Sequence, residues 1–243
     1  ILNLSNSITD KQNASKFLVG SGNDNIHLCV VITADRGLCG GFNTNICRKA
    51  KIYFEKILKE GKTLKILTVG SKGHDQLKRV YGSYIIEKIN YKDIKKITYK
   101  EAEEVGNKII KLFNESKFDV CTIFYNQFKN VMTQIPQIQQ IIPVESNQSV
   151  SAEAQKAIDN SYEFEPEESD ILENLLPKNI STQIFKAFLE NAASEQGSRM
   201  TAMDSATRNA ADLVDKLTIT YNRSRQAVIT KELIEIISGA ESL

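Results

Sequence analysis

The chain has 243 residues, 41% of them hydrophobic and 25% charged, with a formal net charge of +1, an ordinary composition for a folded protein with a real core. No run approaches 18 apolar residues, so no segment is expected to span a membrane. No basic stretch is interleaved with aromatics, which leaves nucleic acid without support as a partner. Cys29, Cys39, Cys47 and Cys121 form no C-x-x-C pair and His27 and His74 are the only histidines, so neither a disulfide framework nor a metal site is expected.

The chain opens at Ile1 with no charged-then-apolar targeting signal and reads as a processed chain or a fragment. Residues 1–25 read as the end of an element followed by a Ser/Asn/Gly/Asp-rich loop. Ile26 to Thr33 is a short apolar, β-branched run, the pattern of a buried strand. A glycine-rich turn follows at Gly37-Leu38-Cys39-Gly40-Gly41. A helix is predicted from Asn43 to about Lys59, with Ile46, Ala50, Tyr53, Phe54, Ile57 and Leu58 on one face and Gly61 placed to cap its C-terminus. Leu64 to Val69 is a second strand, Gly70-Ser71-Lys72-Gly73 turns into a helix through Tyr81, and Tyr84 to Ile89 is a third apolar run. Helical periodicity returns from Tyr99 to Ser116 through Ala102, Val105, Ile109, Ile110 and Phe113. Phe118 to Tyr125 is the strongest strand, and Val131 to Val144 reads as extended, punctuated by Pro136 and Pro143.

Strands alternating with helices of this length predict βαβ units, so residues 26–144 read as an α/β domain, Rossmann-like, with a mostly parallel sheet. Residues 145–177 are polar and acidic and read as a linker or foot segment. Charge is unevenly spread: residues 51–117 carry 16 Lys/Arg against 9 Asp/Glu, and residues 145–175 carry 9 Asp/Glu against Lys156 alone. Such runs are usually solvated faces, with two docking surfaces of opposite sign as the functional alternative.

From Lys178 to Leu243 there is no proline, and Gly197 and Gly239 are the only glycines. This stretch predicts one helix, and about 60 such residues make a rod of roughly 90 Å. The domain before it should have a radius of gyration of only about 16 Å. Much of the helix must therefore stand clear, as a partner-binding shaft or half of a coiled coil. Ile184, Phe188, Ala192, Glu195, Arg199, Met203, Ala206, Ala210, Leu213 and Leu217 trace a thin stripe along it. Glu195, Gln196, Arg199 and Asn209 lie on or beside that seam. Past Tyr221, Val228, Ile229, Leu233, Ile234, Ile236 and Ile237 are apolar on more than one side, as in a helix surrounded by something. Arg223, Arg225, Gln226, Thr230, Glu232 and Glu235 form a polar collar beside that tip.

Chemistry is sparse. The glycines at 37, 40 and 41 fit neither G-x-G-x-x-G nor the P-loop pattern, and both glycine turns read as devices for positive φ and close packing. Carboxylate pairs such as Glu103-Glu104 and Glu167-Glu168 sit in charge runs, and no nucleophile–base arrangement emerges, so no catalytic residue and no cofactor is expected.

The segment Ile32-Thr33-Ala34-Asp35-Arg36-Gly37-Leu38-Cys39-Gly40-Gly41-Phe42-Asn43-Thr44-Asn45 resembles the hallmark of the gamma subunit of F-type ATP synthases. So does Glu190-Asn191-Ala192-Ala193-Ser194-Glu195-Gln196-Gly197-Ser198-Arg199-Met200-Thr201-Ala202-Met203, and the run from Tyr221 to Ala240 is similar to that family's C-terminal signature. The resemblance covers about Ile26 to Leu243. It implies a central rotor stalk whose foot is a Rossmann-like domain without nucleotide chemistry or a small-molecule substrate of its own. Its terminal helices form an antiparallel coiled coil entering a ring of alpha and beta subunits. The foot rests on the membrane c-ring and binds the epsilon subunit, at the cytoplasmic face of a bacterial inner membrane or the mitochondrial matrix face. By the same resemblance Arg225 and Gln226 engage catch loops of beta subunits, Thr230, Glu232 and Glu235 are nearby coupling positions, Arg199 faces the beta lever, and Tyr162 meets the c-ring. The family's long N-terminal helix has only Ile1 to about Phe17 as a counterpart here. The alternatives are a nucleotide-binding α/β enzyme with a helical dimerisation arm, and a static coiled-coil scaffold.

Overall fold

The computed structural model describes residues 17, 20, 22–94, 97–143 and 168–241, with side chains of the last segment from 175 to 240. In chain order the elements are β1 (Ile26–Ile32), α1 (Phe42–Lys59), β2 (Thr63–Val69), α2 (Ser71–Tyr81), a 3-10 turn (Gly82–Tyr84), β3 (Ile85–Ile89), α3 (Tyr99–Asn114), β4 (Val120–Phe128), β5 (Gln134–Ile142) and α4 (Glu168–Glu241). The strands make one five-stranded sheet in the order β3-β2-β1-β4-β5. Pairings among β1, β2, β3 and β4 are parallel and β5 is antiparallel to β4, the mostly parallel sheet that the alternation of strands and helices predicts.

The central strand explains the layers. Successive side chains of β1 point to opposite faces, so Leu28, Val30 and Ile32 join the core under α3 and α4, while Cys29 and Val31 join the core under α1 and α2. A strand buried on both faces cannot alternate apolar with polar, and that is why 28–32 reads as a continuous apolar run. Pro136 is tolerated in β5 because that strand is an edge, where a missing N–H leaves no ladder bond broken.

Helix ends are set by local chemistry. Gly61, at φ +72°, follows α1, and the bonds Gly61 N to Leu58 O and Lys62 N to Ile57 O complete a Schellman motif. Ser116 takes the same place after α3 at φ +52°, with Ser116 N bonded to Phe113 O and Lys117 N to Leu112 O. At the start of α3, the Glu101 carboxylate accepts from Thr98 N and Thr98 Oγ at 2.7 and 2.6 Å.

One boundary differs from the sequence reading. The long helix begins at Glu168, not at Lys178, and Pro177 lies inside it. A proline removes one backbone donor without ending a helix that tertiary contacts hold on its far side, and Leu176 and Ile180 are fully buried on either side of it. The expected N-terminal element is described only at Phe17, which is helical and stacks on Phe113 at 5.0 Å.

Candidate functional site

The lower part of α4 is seated on the foot. It runs antiparallel to α3, with Tyr99 against Phe185 at 5.7 Å and Gly106 opposite Ser181. Ile180, Ile184, Ala187 and Phe188 are buried in the core against the sheet, with Leu176 buried one turn before them, and the larger ones contribute roughly 2 kcal/mol each. Beyond Phe188 the buried stripe continues but turns polar, as Asn191, Ser194 and Ser198. Ser194 Oγ donates to Asn126 O at 2.9 Å and Ser198 Oγ to Cys39 O at 2.7 Å. Phe128 N donates to the Glu190 carboxylate at 2.8 Å, and Asn126 N to Asn191 Oδ1 at 3.4 Å.

These partners locate the seat. Cys39 lies in the loop leaving β1 and Asn126 near the end of β4, the two strands between which the winding of the sheet reverses. In doubly wound folds that crevice, outside the carboxyl ends of the strands, is where ligands bind. Here a helix of the same chain fills it. A cavity of about 510 Å³ remains beside the helix, lined among others by Asp35, Arg36, Tyr91, Lys92, Glu195 and Arg199.

The glycine-rich loop is likewise used internally. The Asp35 carboxylate accepts from Ser71 N and Ser71 Oγ, both at 2.8 Å, and from Tyr91 N at 2.9 Å. It thus occupies the N-terminus of α2, where a phosphate would otherwise be cradled. Leu38 and Gly40 take positive φ, +62° and +53°, and Gly40 lies against Ser198 and Ala202 of the shaft. Asn43 ties the loop to its helix, accepting from Ala34 N at 2.9 Å and donating to Cys39 Sγ at 3.2 Å. Burial raises the Cys39 thiol pKa. Gly70 and Gly73 allow α2 to lie directly on Thr33, since a Cβ on either would fall within 2.6 Å of a Thr33 atom.

Above the foot the helix is bare. Every residue from 203 to 240 is exposed, a length of about 57 Å. Arg225, Gln226, Thr230, Glu232 and Glu235 all lie there, and at 100° per residue they spread around the circumference, a collar and not a stripe. Lys231 sits 3.7 Å from Glu235. Arg199 lies lower, half-buried, its guanidinium bound to Glu195 and, at 3.1 Å, to Gln196. The structure thus separates Arg199, at the mouth of the crevice, from the other five. Tyr162 lies outside the described residues. Asn126, Asn191, Ser194 and Ser198 were not singled out by their chemistry. Their signal was position: 191, 194 and 198 extend the spacing of Ile184, Ala187 and Phe188.

A foot that grips the lower part of one very long helix, fills its own ligand crevice with it and leaves the rest uncovered defines a stalk protein, built to hold a rod. The family model for ATP synthase matches residues 2–243. The chain is 70% identical over 243 residues to the ATP synthase gamma chain of Pelagibacter ubique and 52% identical to that of Brucella anthropi, in each case covering all of this chain and 82% of the relative. The chain belongs to the ATP synthase gamma chain family. Among solved structures it is similar to a chain in the central stalk and c-ring of the Tetrahymena thermophila mitochondrial ATP synthase, with 26% identity, a TM-score of 0.63 and 84% of each chain covered. A chain of the Euglena gracilis mitochondrial ATP synthase rotor shares the fold at 20% identity, with a TM-score of 0.64 and coverage of 94% and 87%.

Proposed function

We propose that this chain is the central shaft of an ATP synthase rotor, coupling proton-driven rotation of a membrane c-ring to ATP synthesis in a ring of alpha and beta subunits, and carrying no bond-making chemistry itself. The observation that carries this reading is the bare helix 203–240, continuous with a segment seated in the foot. Its apolar tip, including Val228, Ile229, Leu233, Ile234, Ile236 and Ile237, is exposed in the chain alone and suits a surrounding sleeve. Apolar contact is non-directional and holds an axis without choosing an angle. The collar of Arg225, Gln226, Thr230, Glu232 and Glu235 supplies the directional part. Turning it presents different partners to each beta subunit, and only such differential contact can shift affinity from site to site.

In this reading Arg225 and Gln226 engage the catch loops of beta subunits and Arg199 faces the beta lever, exchanging Glu195 and Gln196 for an outside partner. Tyr162 belongs to the c-ring contact, and the foot also receives the epsilon subunit. The protein is peripheral, at the cytoplasmic face of a bacterial inner membrane or the matrix face of a mitochondrial one. Among the described residues no helix is long and apolar enough to cross a membrane. Against the rival nucleotide-binding reading stands the Asp35 carboxylate at the N-terminus of α2.

The test is Mg-ATP hydrolysis by purified alpha and beta subunits with and without this protein. Sustained hydrolysis should require all three. It should fall by roughly tenfold or more with Arg225→Ala and Gln226→Ala combined, equivalent to about 1.4 kcal/mol or more of lost transition-state stabilisation. Hydrolysis by this chain alone would overturn the reading.

A further inference from the structure

We propose that Glu190, Asn191, Ser194 and Ser198 are positioning residues that form a torsional clamp, fixing the rotational angle of the shaft where it leaves the foot. The proposal rests on the rotor reading and adds to it the place where torque passes between foot and helix. Over residues 176–188 the helix is held mainly by apolar packing, with a side-chain bond from Gln139 Nε2 to Gln183 Oε1 at 2.8 Å; such packing resists separation but is weakly sensitive to rotation, because burial of apolar surface has no preferred direction. From Glu190 to Ser198 the holding changes in kind. Glu190, Asn191, Ser194 and Ser198 bond backbone atoms of Phe128, Asn126 and Cys39 at distances from 2.7 to 3.4 Å.

Several features make this a clamp. All four side chains lie within an arc of about 100° and about 12 Å of helix axis, so they act on one line. Their partners are main-chain groups of the foot, which cannot follow a turning helix as a side chain could. Hydrogen bonds weaken steeply as donor and acceptor lose alignment, so a small rotation of α4 strains the whole line together. Ser194 and Ser198 are almost completely buried, at 0% and 7% exposure, so water cannot readily replace a broken bond there, and an unmade bond costs more than it would on the surface. The line also stands at the exit. Beyond Ala202 every described residue up to 240 is exposed, and any twist applied to the shaft must be reacted at this last grip. Gly40 and Gly197 let the loop and the end of β4 close around it: a Cβ at Gly197 would lie 3.2 Å from the Phe128 ring and 3.4 Å from Val131 Cα.

The experiment uses the assembled catalytic ring with the full protein as its shaft, a bead fixed to the foot and the ring held to a surface. Cys29, Cys39, Cys47 and Cys121 are all buried, so Lys78→Cys on exposed α2 supplies one selective attachment point. With the ring stalled, the angular variance of the bead reports the torsional stiffness of shaft and joint. Ser194→Ala with Ser198→Ala should widen that variance by about twofold, since half of the directional bonds are lost. Ile184→Val, a loss of stability of similar size from the apolar part of the seat, should lower the unfolding temperature and leave the variance unchanged. An unchanged variance in the double serine variant overturns the clamp, and so does equal widening by Ile184→Val, because compliance would then follow stability alone. Failure of the unmodified assembly to turn under Mg-ATP would instead overturn the rotor reading itself, and the clamp with it.

Discussion

Gly106→Ala pits two effects of known sign against each other. In an exposed helix this change stabilises by about 1 kcal/mol, because alanine has less backbone entropy to lose. Gly106, however, faces the shaft in the middle of α3. A Cβ built there lies 2.5 Å from Ser181 Oγ, 3.3 Å from Ser181 Cβ and 3.4 Å from Ser181 Cα. Rotating the hydroxyl clears only the first contact and gives up its 3.2 Å bond to Pro177 O. The other two atoms are fixed to the helix, so α3 and α4 must separate by several tenths of an ångström. That loosens Ala102, Val105 and Ile109 against Ile180 and Ile184, all in one core. Overpacking of this kind costs about 1–3 kcal/mol, so the balance is a destabilisation of about 1 kcal/mol, or about 2–4 °C in a chain of this size. Urea unfolding followed by the near-ultraviolet signal of the packed foot tyrosines reads this directly, free of tryptophan. Ser181→Ala should recover part of the loss, with a coupling of about 1 kcal/mol in the double-mutant cycle. A Gly106→Ala protein more stable than its parent, or strict additivity with Ser181→Ala, would refute the close approach of the two helices.

Asp35→Ala removes an acceptor that serves three donors and should destabilise the foot by about 3 kcal/mol, as bonds to a charged group are worth about 1.5–3 kcal/mol each and partial rehydration recovers some; an unfolding midpoint near the parent's would contradict it. Ser116→Gly should stabilise by about 0.5–1 kcal/mol, because a left-handed residue with a side chain costs about 1–2 kcal/mol and glycine gives back part through its freer unfolded state. Asp24 bonds Lys62 at 2.6 Å, and chiefly this bond holds its carboxyl below the ordinary range. A lowered folded-state pKa contributes stability above the unfolded value, near 3.9, that is lost as pH falls through the folded value. Asp24→Asn should therefore cost under about 1 kcal/mol at neutral pH, Asp24 being largely exposed and the pair screened by solvent. The difference between the two proteins should close as pH falls below about 4, which paired acid titrations would reveal.

The sheet was legible because its physics is local. Strands β1, β2 and β4 are buried on both faces and leave mostly apolar runs, and the glycines at 61 and 70 announce turns through φ values, +72° and +103°, that only glycine adopts freely. The bare shaft was legible from length alone. Its start was not: a proline and an acidic stretch suggest a break at Pro177, and only the contacts of Leu176 and Ile180 outweigh it. The collar was readable as a group, from residues that share a helix. The seat was not, because its polar line is completed by backbone atoms of Asn126, Phe128 and Cys39, and backbone groups carry no sequence signal. Serine and asparagine on a long helix otherwise read as solvated. Asp35 stood in plain view within the hallmark loop, yet that it serves two segments arriving 36 and 56 residues later is a property of the fold.

The two faces of the sheet are completed at very different times in synthesis. The α1/α2 face closes with residues up to Ile138, all of which leave the ribosome before the long helix. The opposite face needs Ile180, Ile184, Ala187 and Phe188 beside the residues of α3, so a nascent chain that already has all its strands still shows water part of one apolar side of its sheet. During that interval the foot is an intermediate covered on that side by α3 alone, open to chaperones and to misassembly. Arrival of the helix at once hides that surface and erects the rod, so a foot that has finished folding already carries its shaft.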